Sequence, residues 1–115
     1  MNTLYGIPNC DTMKKARMWL DTHGIAYELH DYKKAGLDEA LLREWVEELG
    51  WEALINRRGQ MWRKLDPAVR EGLDETNAIR VMLEMPSIIR RPVLDTGARR
   101  HVGFSEAVYA GLFDQ

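Results

Sequence analysis

Residues 4–22 read LYGIPNCDTMKKARMWLDT and join a short apolar stretch to an amphipathic one. Leu4 to Ile7 predicts a strand, and Asp11 to Thr22 predicts a helix with one apolar face that ends at Gly24. Residues 25–32 (IAYELHDY) alternate large apolar with polar side chains, which predicts a second, half-buried strand. Strand, helix and strand within about thirty residues predict a parallel β-α-β unit with a right-handed crossover.

The chain has one cysteine, Cys10, and it lies at the predicted start of that helix. Unpaired N–H groups and the positive end of the helix dipole favour a thiolate at such a position. Lys14, one turn further on, is expected to add positive potential as an auxiliary group, whereas Asp11 opposes part of it. Asn9, Asp11 and Thr12 flank the thiol and are predicted to bind substrate. The alternative is an inert buried thiol; we interpret Cys10 as the catalytic nucleophile.

The middle of the chain, at about 37–86, is predicted to be a helical insert. Asp38 caps a helix that ends at Gly50, and residues 54–65 are less regular. Asp66 and Pro67 start a short helix, and Asp74 or Thr76 caps another that runs to Pro86.

Residues after Pro86 return to a strand pattern. Residues 91–95 and 100–103 flank TGAR (96–99) as a hairpin, and Ser105 opens a last helix. The order β-α-β, helical insert, β-β-α predicts an α/β thioredoxin-like fold with a mixed four-stranded sheet. We expect a single domain over residues 1–115, because domains of about 100–150 residues are common.

The composition argues against several classes of partner. Of 115 residues, 16 are Lys or Arg and 18 are Asp or Glu, a net charge of -2, so direct nucleic-acid binding is not expected. No apolar run approaches the ~20 residues that span a bilayer, and no leader pattern opens the chain, so we expect no membrane partner and a cytoplasmic location. A lone cysteine forms only intermolecular disulfides, and a reducing compartment supplies glutathione as a cosubstrate.

Two arginine pairs, Arg90-Arg91 and Arg57-Arg58, are candidates for binding an anion beside the thiol. Arg91 precedes Pro92 at the head of a predicted strand, where a cis peptide would direct backbone groups toward Cys10. Arg57 and Arg58 form the second pair, with solvated charge or a surface ion pair as the alternative for each. Guanidinium groups bind carboxylates and oxyanions through paired hydrogen bonds.

Other thiol chemistries do not match the spacing. A cysteine phosphatase loop needs an arginine six positions after Cys10, where Ala16 stands. Met13 takes the place of the second cysteine of a two-cysteine redox motif. One cysteine and three scattered histidines give no zinc-ligand spacing. We therefore expect no metal and no tightly bound cofactor.

Five segments together resemble the arsenate reductase-like family that also contains Spx, with the closest resemblance to its YffB branch. They are YGIPNCDTMKKA (5–16), NRRG (56–59), WRKL (62–65), PSIIRRPV (86–93) and VGFSE (102–106). The resemblance implies a thioredoxin-like fold with a helical insert, a nucleophilic thiol at Cys10 and an anion-binding guanidinium at Arg91. It also implies glutaredoxin as a partner for the arsenate reductases and RNA polymerase for the Spx regulators.

The departures from the family patterns bear on the activity. Of the three arginines of the glutaredoxin-linked arsenate reductases, Arg91 matches one, Asn56 with Arg57 adjacent matches the second loosely, and Gly103 stands at the third. We therefore predict a glutathione-dependent thiol/disulfide reductase with a single nucleophilic cysteine. The alternatives are an arsenate reductase that uses glutathione and glutaredoxin, and an Spx-like regulator that binds RNA polymerase.

Overall fold

Four short strands form one mixed sheet in the computed structural model, which describes residues 1–115. The strands are β1 (Thr3–Gly6), β2 (Glu28–Asp31), β3 (Val93–Asp95) and β4 (Arg100–Val102), in the spatial order β2-β1-β3-β4. β1 runs parallel to β2 and antiparallel to β3, which is antiparallel to β4. The predicted α/β fold with a mixed four-stranded sheet is confirmed.

Eight helices and one 3₁₀ turn accompany the sheet. They are α1 (Asp11–Thr22), α2 (Tyr32–Ala35), α3 (Glu39–Leu49), α4 (Trp51–Leu54), α5 (Gln60–Lys64), α6 (Pro67–Glu71), α7 (Glu75–Glu84), the 3₁₀ turn (Pro86–Ile88) and α8 (Glu106–Leu112). No helix has the length and apolar character that crossing a membrane requires.

The first of two compact units comprises Met1–Ala35 and Arg91–Gln115 and contains the whole sheet. Leu4 on β1 stands opposite Leu94 on β3, and both are fully buried. The apolar face of α1 and one side chain of α8 complete this core: Met13, Ala16, Trp19, Leu20 and Tyr109. The buried Leu4 of β1 and the apolar face of α1 thus pack together on one face of the sheet.

The second unit, Gly36–Arg90, is helical and includes the predicted insert. Its core contains Trp45 of α3 and Met82 of α7, both fully buried. The side chain of Asp38 accepts the N–H of Leu41, and that of Asp74 accepts the N–H of Asn77, so both begin their helices as capping residues. Of the two predicted caps for the later helix, Asp74 is the one observed.

The second strand is shorter than the sequence predicted. The predicted strand covered residues 25–32, whereas β2 ends at Asp31 and Tyr32 begins the one-turn helix α2. The reason is local: Oδ1 of Asp31 accepts the N–H of Lys33 at 2.9 Å, which turns the chain. β2 is an edge strand of the sheet, and its Leu29 is 38% exposed.

Candidate active site

Cys10 lies between the end of β1 and the start of α1. Its backbone is extended (φ -131°, ψ 136°), and its carbonyl accepts the N–H of Lys14 at 3.0 Å, which makes it the N-cap residue of α1. The thiol is half-buried and forms no disulfide. The thiol therefore lies at the start of a helix, as the sequence predicted.

The surroundings of Sγ favour the thiolate. Partial burial acts to raise the pKa of Cys10, but the N–H of Met13, a hydrogen bond from the Arg91 side chain, the N–H of Thr12 and the charge of Arg91 outweigh it, so the pKa is lowered. The N–H groups of Thr12 and Met13 in the first turn of α1 are directed at the sulfur, where they stabilise negative charge.

Arg91 is hydrogen-bonded to the thiol although it lies far from Cys10 in the sequence. It lies two residues before the start of β3, and its peptide bond to Pro92 is cis. The carbonyl of Pro92 accepts the N–H of Gly103 at 2.8 Å, so the segment is tied to the end of β4. Burial acts to lower the pKa of Arg91, but hydrogen bonds and charge from Cys10 and Tyr32 outweigh it and raise that pKa.

Tyr32 is the residue of this site that sequence reasoning missed. Its side chain is 1% exposed and hydrogen-bonded to the Arg91 side chain. Burial raises the pKa of Tyr32 to about 12, although the charge and hydrogen bond of Arg91 act in the opposite direction. Cys10, Arg91 and Tyr32 therefore form a chain of contacts in which a guanidinium lies between a thiol and a neutral phenol.

The other predicted site residues of this unit differ in their exposure to solvent. Asn9, Asp11 and Lys14 are exposed, whereas Thr12 is half-buried and Pro92 is buried. Thr12 also lines a cavity of about 680 Å³. Side chains of α1 and of the segment that begins α8 line it as well: Lys15, Met18, Trp19, Thr22, Phe104, Ser105 and Glu106.

Arg57 and Arg58 belong to the second unit. The guanidinium of Arg57 lies 5.5 Å from the ring centre of Trp62, a cation–π contact. The backbone N–H of Arg58 donates to Oδ1 of Asn56 at 3.1 Å. Both side chains are exposed, and their role in binding an anionic substrate stays a prediction.

The departures at Met13 and Gly103 have structural counterparts. Met13 is fully buried, and its thioether packs so closely on Gly6 that a Cβ at Gly6 would overlap it. This side chain is part of the core, not a second redox group at the surface. Gly103 has φ 87°, a backbone conformation that an arginine adopts only with strain.

Comparison with known proteins gives the family. The model of the ArsC family matches residues 5–112. The chain belongs to the ArsC family. A solved structure of a protein named YffB has a TM-score of 0.93 at 53% identity and covers 96% of this chain and 97% of its own. An arsenate reductase (ArsC) related protein from Brucella melitensis has a TM-score of 0.80 at 48% identity, with 99% and 95% covered.

Two curated relatives extend the picture of this ArsC family member. An uncharacterized protein of Haemophilus influenzae is 43% identical over 98% of this chain and 99% of its own length. The global transcriptional regulator Spx of Streptococcus mutans is 34% identical over 92% of this chain and 78% of its own length. The predicted resemblance to the arsenate reductase-like family with its Spx and YffB members is confirmed.

Proposed function

We propose that this ArsC family member is a glutathione-dependent thiol/disulfide reductase in which Cys10 is the nucleophile. The observation that carries the proposal is the guanidinium of Arg91 hydrogen-bonded to a thiol at the start of α1, with the pKa of that thiol lowered. A thiolate, not a thiol, attacks disulfides, and a lowered pKa makes more of it at neutral pH.

The reaction has two exchanges. The Cys10 thiolate attacks the glutathione sulfur of a glutathionylated thiol, a Cys10–glutathione disulfide forms, and the substrate sulfur leaves as a thiolate that takes up a proton. A second glutathione thiolate attacks the glutathione sulfur of this mixed disulfide, oxidised glutathione leaves, and the Cys10 thiolate is restored. The chain has no second cysteine, so an external thiol must perform the second exchange.

Arg91 has a further task in this scheme. Once Sγ is part of a disulfide it carries no charge, and a half-buried guanidinium then lacks its anion. A carboxylate of glutathione then takes the place of the thiolate as the anion beside Arg91. This favours the mixed disulfide with glutathione over one with an uncharged thiol. That Arg57 or Arg58 binds an anionic substrate stays a prediction, and we assign an auxiliary role to Lys14 and Pro92.

Turnover tests the proposal. Purified protein is mixed with a glutathionylated peptide and reduced glutathione, and the oxidised glutathione formed is followed through glutathione reductase and NADPH. We expect a rate above that of glutathione alone, and we expect Cys10→Ser to abolish it. Equal rates with wild type and Cys10→Ser, or no rate above the glutathione background, would rule the reductase out. We place this chemistry in the cytoplasm, where glutathione keeps thiols reduced.

Two alternatives are distinguished by other assays. For arsenate reduction, the observation against is the glycine conformation at position 103, where the resemblance implies an arginine. Arsenate-dependent oxidation of glutathione, with glutaredoxin present, would favour it over the thiol reductase.

For regulation, the favouring observation is the 34% identity to Spx over 92% of this chain. A regulator of that type is expected to retain RNA polymerase on a column and to do so equally well as Cys10→Ser, since the mutation leaves a docking surface unchanged. No retention of the polymerase excludes it.

A further inference from the structure

We propose that Tyr32 is a positioning residue: its buried hydroxyl accepts a hydrogen bond from Arg91 and holds the guanidinium on Sγ of Cys10. The inference deepens the proposed function, because it concerns how the nucleophile of that reaction is prepared. It assigns a role to a side chain that acts on the thiol through its hydrogen bond with Arg91.

The placement of Tyr32 is fixed by local structure. Asp31 ends β2 beside Gly6 at the end of β1, which is the strand that leads to Cys10. The Oδ1 atom of Asp31 accepts the N–H groups of Lys33 and Lys34 at 2.9 Å and 3.4 Å, so the turn of α2 starts at Tyr32. The Tyr32 ring is 1% exposed, and its oxygen is therefore a fixed acceptor.

A fixed second acceptor matters because an arginine side chain is long. A guanidinium bonded only to one sulfur must give up the rotamer freedom of its long stem to stay there. Because the group is a planar fork with several donors, a second fixed acceptor can hold it in the same orientation. Arg91 bonds both Cys10 and Tyr32, so one orientation of the side chain satisfies both.

The chemical type of the acceptor matters as well. A carboxylate in the place of Tyr32 would neutralise Arg91 and compete with the thiolate for it. A phenol that stays protonated over the physiological pH range accepts the hydrogen bond and leaves the charge to the sulfur. The carboxylate of Asp31, whose charge acts on this phenol, accepts hydrogen bonds from the backbone N–H groups of Lys33 and Lys34.

The test is Tyr32→Phe, with Tyr27→Phe as the matched control. The hydroxyl of Tyr27 accepts a bond from Nε of Arg17 at 3.3 Å, so the control also removes a phenol oxygen from an arginine. Thiolate absorbance and the rate of alkylation are followed against pH in both variants. We expect Tyr32→Phe to raise the pKa of Cys10 by about half a unit to one unit, and Tyr27→Phe to leave it at the wild-type value.

The same substitution in an Arg91→Met background distinguishes a role through Arg91 from a role in packing. If Tyr32 acts through Arg91, then Tyr32→Phe added to Arg91→Met causes no further shift of the Cys10 pKa. An equal shift with and without Arg91, or no shift in Tyr32→Phe, overturns the proposal. Both measurements report on the thiol alone. A protein that does not turn over glutathione would therefore contradict the proposed function but not this inference.

Should Tyr32→Phe not fold, the wild-type protein supplies the answer. With tyrosine labelled at Cζ, alkylation of Cys10 removes the thiolate from Arg91 and is expected to move the resonance of Tyr32 more than those of Tyr5, Tyr27 and Tyr109. Equal or absent changes at Tyr32 contradict the coupling.

Discussion

Arg91 reaches Cys10 from a different segment of the chain, so its charge can be removed without a change in the helix that carries the thiol. Arg91→Met keeps the length of the stem and removes both the hydrogen bond and the charge at Sγ. We expect the pKa of Cys10 to rise by about 1 to 2 units, since a hydrogen bond to a charged group contributes about 1.5–3 kcal/mol. Thiolate absorbance against pH measures it.

The neighbouring residue gives the control for that prediction. Arg90 is exposed and belongs to the second unit, where its backbone N–H donates to the carbonyl of Leu54. Arg90→Met removes the same charge one position away and keeps that backbone bond. A Cys10 pKa that rises equally in both variants would mean that net charge, not the contact with Arg91, controls the thiol.

The lowered pKa of Cys10 also makes stability depend on pH. The thiol ionises more readily in the folded chain than in the unfolded one, so its contribution is complete above the unfolded pKa, about 8.5, and is lost as the pH falls through the lowered folded value. Wild type should therefore gain unfolding free energy over Cys10→Ser as the pH rises through this window. Urea titrations at several pH values measure it, and a difference that is constant or falls with pH contradicts the shift.

Among the elements, the helices of the second unit depend on their capping residues. The side chain of Asp74 accepts the N–H of Asn77 at 2.8 Å, and α7 buries Ile79 and Met82. Asp74→Ala leaves that N–H without its partner and is expected to lower the unfolding free energy by about 1 kcal/mol. Urea denaturation measures the loss.

Asp74→Asn is the control, because asparagine caps about as well as aspartate. It is expected to stay within a few tenths of a kcal/mol of wild type, the remainder being the lost interaction of charge with the helix dipole. A loss in Asp74→Asn as large as in Asp74→Ala would show that charge, not the capping bond, is what α7 needs.

Elements with local signals could be predicted from the sequence. The bounds of α1 are as predicted, and Asp38, Asp66 and Ser105 cap the helices that they were expected to cap. These signals act within one turn of a helix, so a single sequence carries them.

Tyr32 shows why the rest of the site could not be predicted. Tyrosine favours strands, and Tyr32 follows an alternating stretch, so the sequence predicts it in the second strand. The signal against this was Asp31, which can cap a turn through the next N–H groups. Its contact with Arg91 joins positions far apart in sequence, and no local pattern encodes such a pairing. Arg91 itself was found because Pro92 marks the head of β3.

At the scale of the whole molecule, the chain order links the two units. The sheet unit is built from Met1–Ala35 and Arg91–Gln115, so the pairing of β1 with β3 closes a loop that contains the entire second unit. While that unit is folded, the residues inside this loop are already ordered in helices. When it unfolds, the same pairing must close a long flexible loop, which costs conformational entropy.

We therefore expect one cooperative unfolding transition, as for the single domain predicted from the length of the chain. Met82→Ala, in the core of the second unit, should lower the unfolding free energy by about 2–5 kcal/mol. Native-state hydrogen exchange should show this loss at the amides of β1 and β3 as well as at those of α3. A variant whose sheet amides keep wild-type protection while the α3 amides lose theirs would instead mean that the units unfold separately.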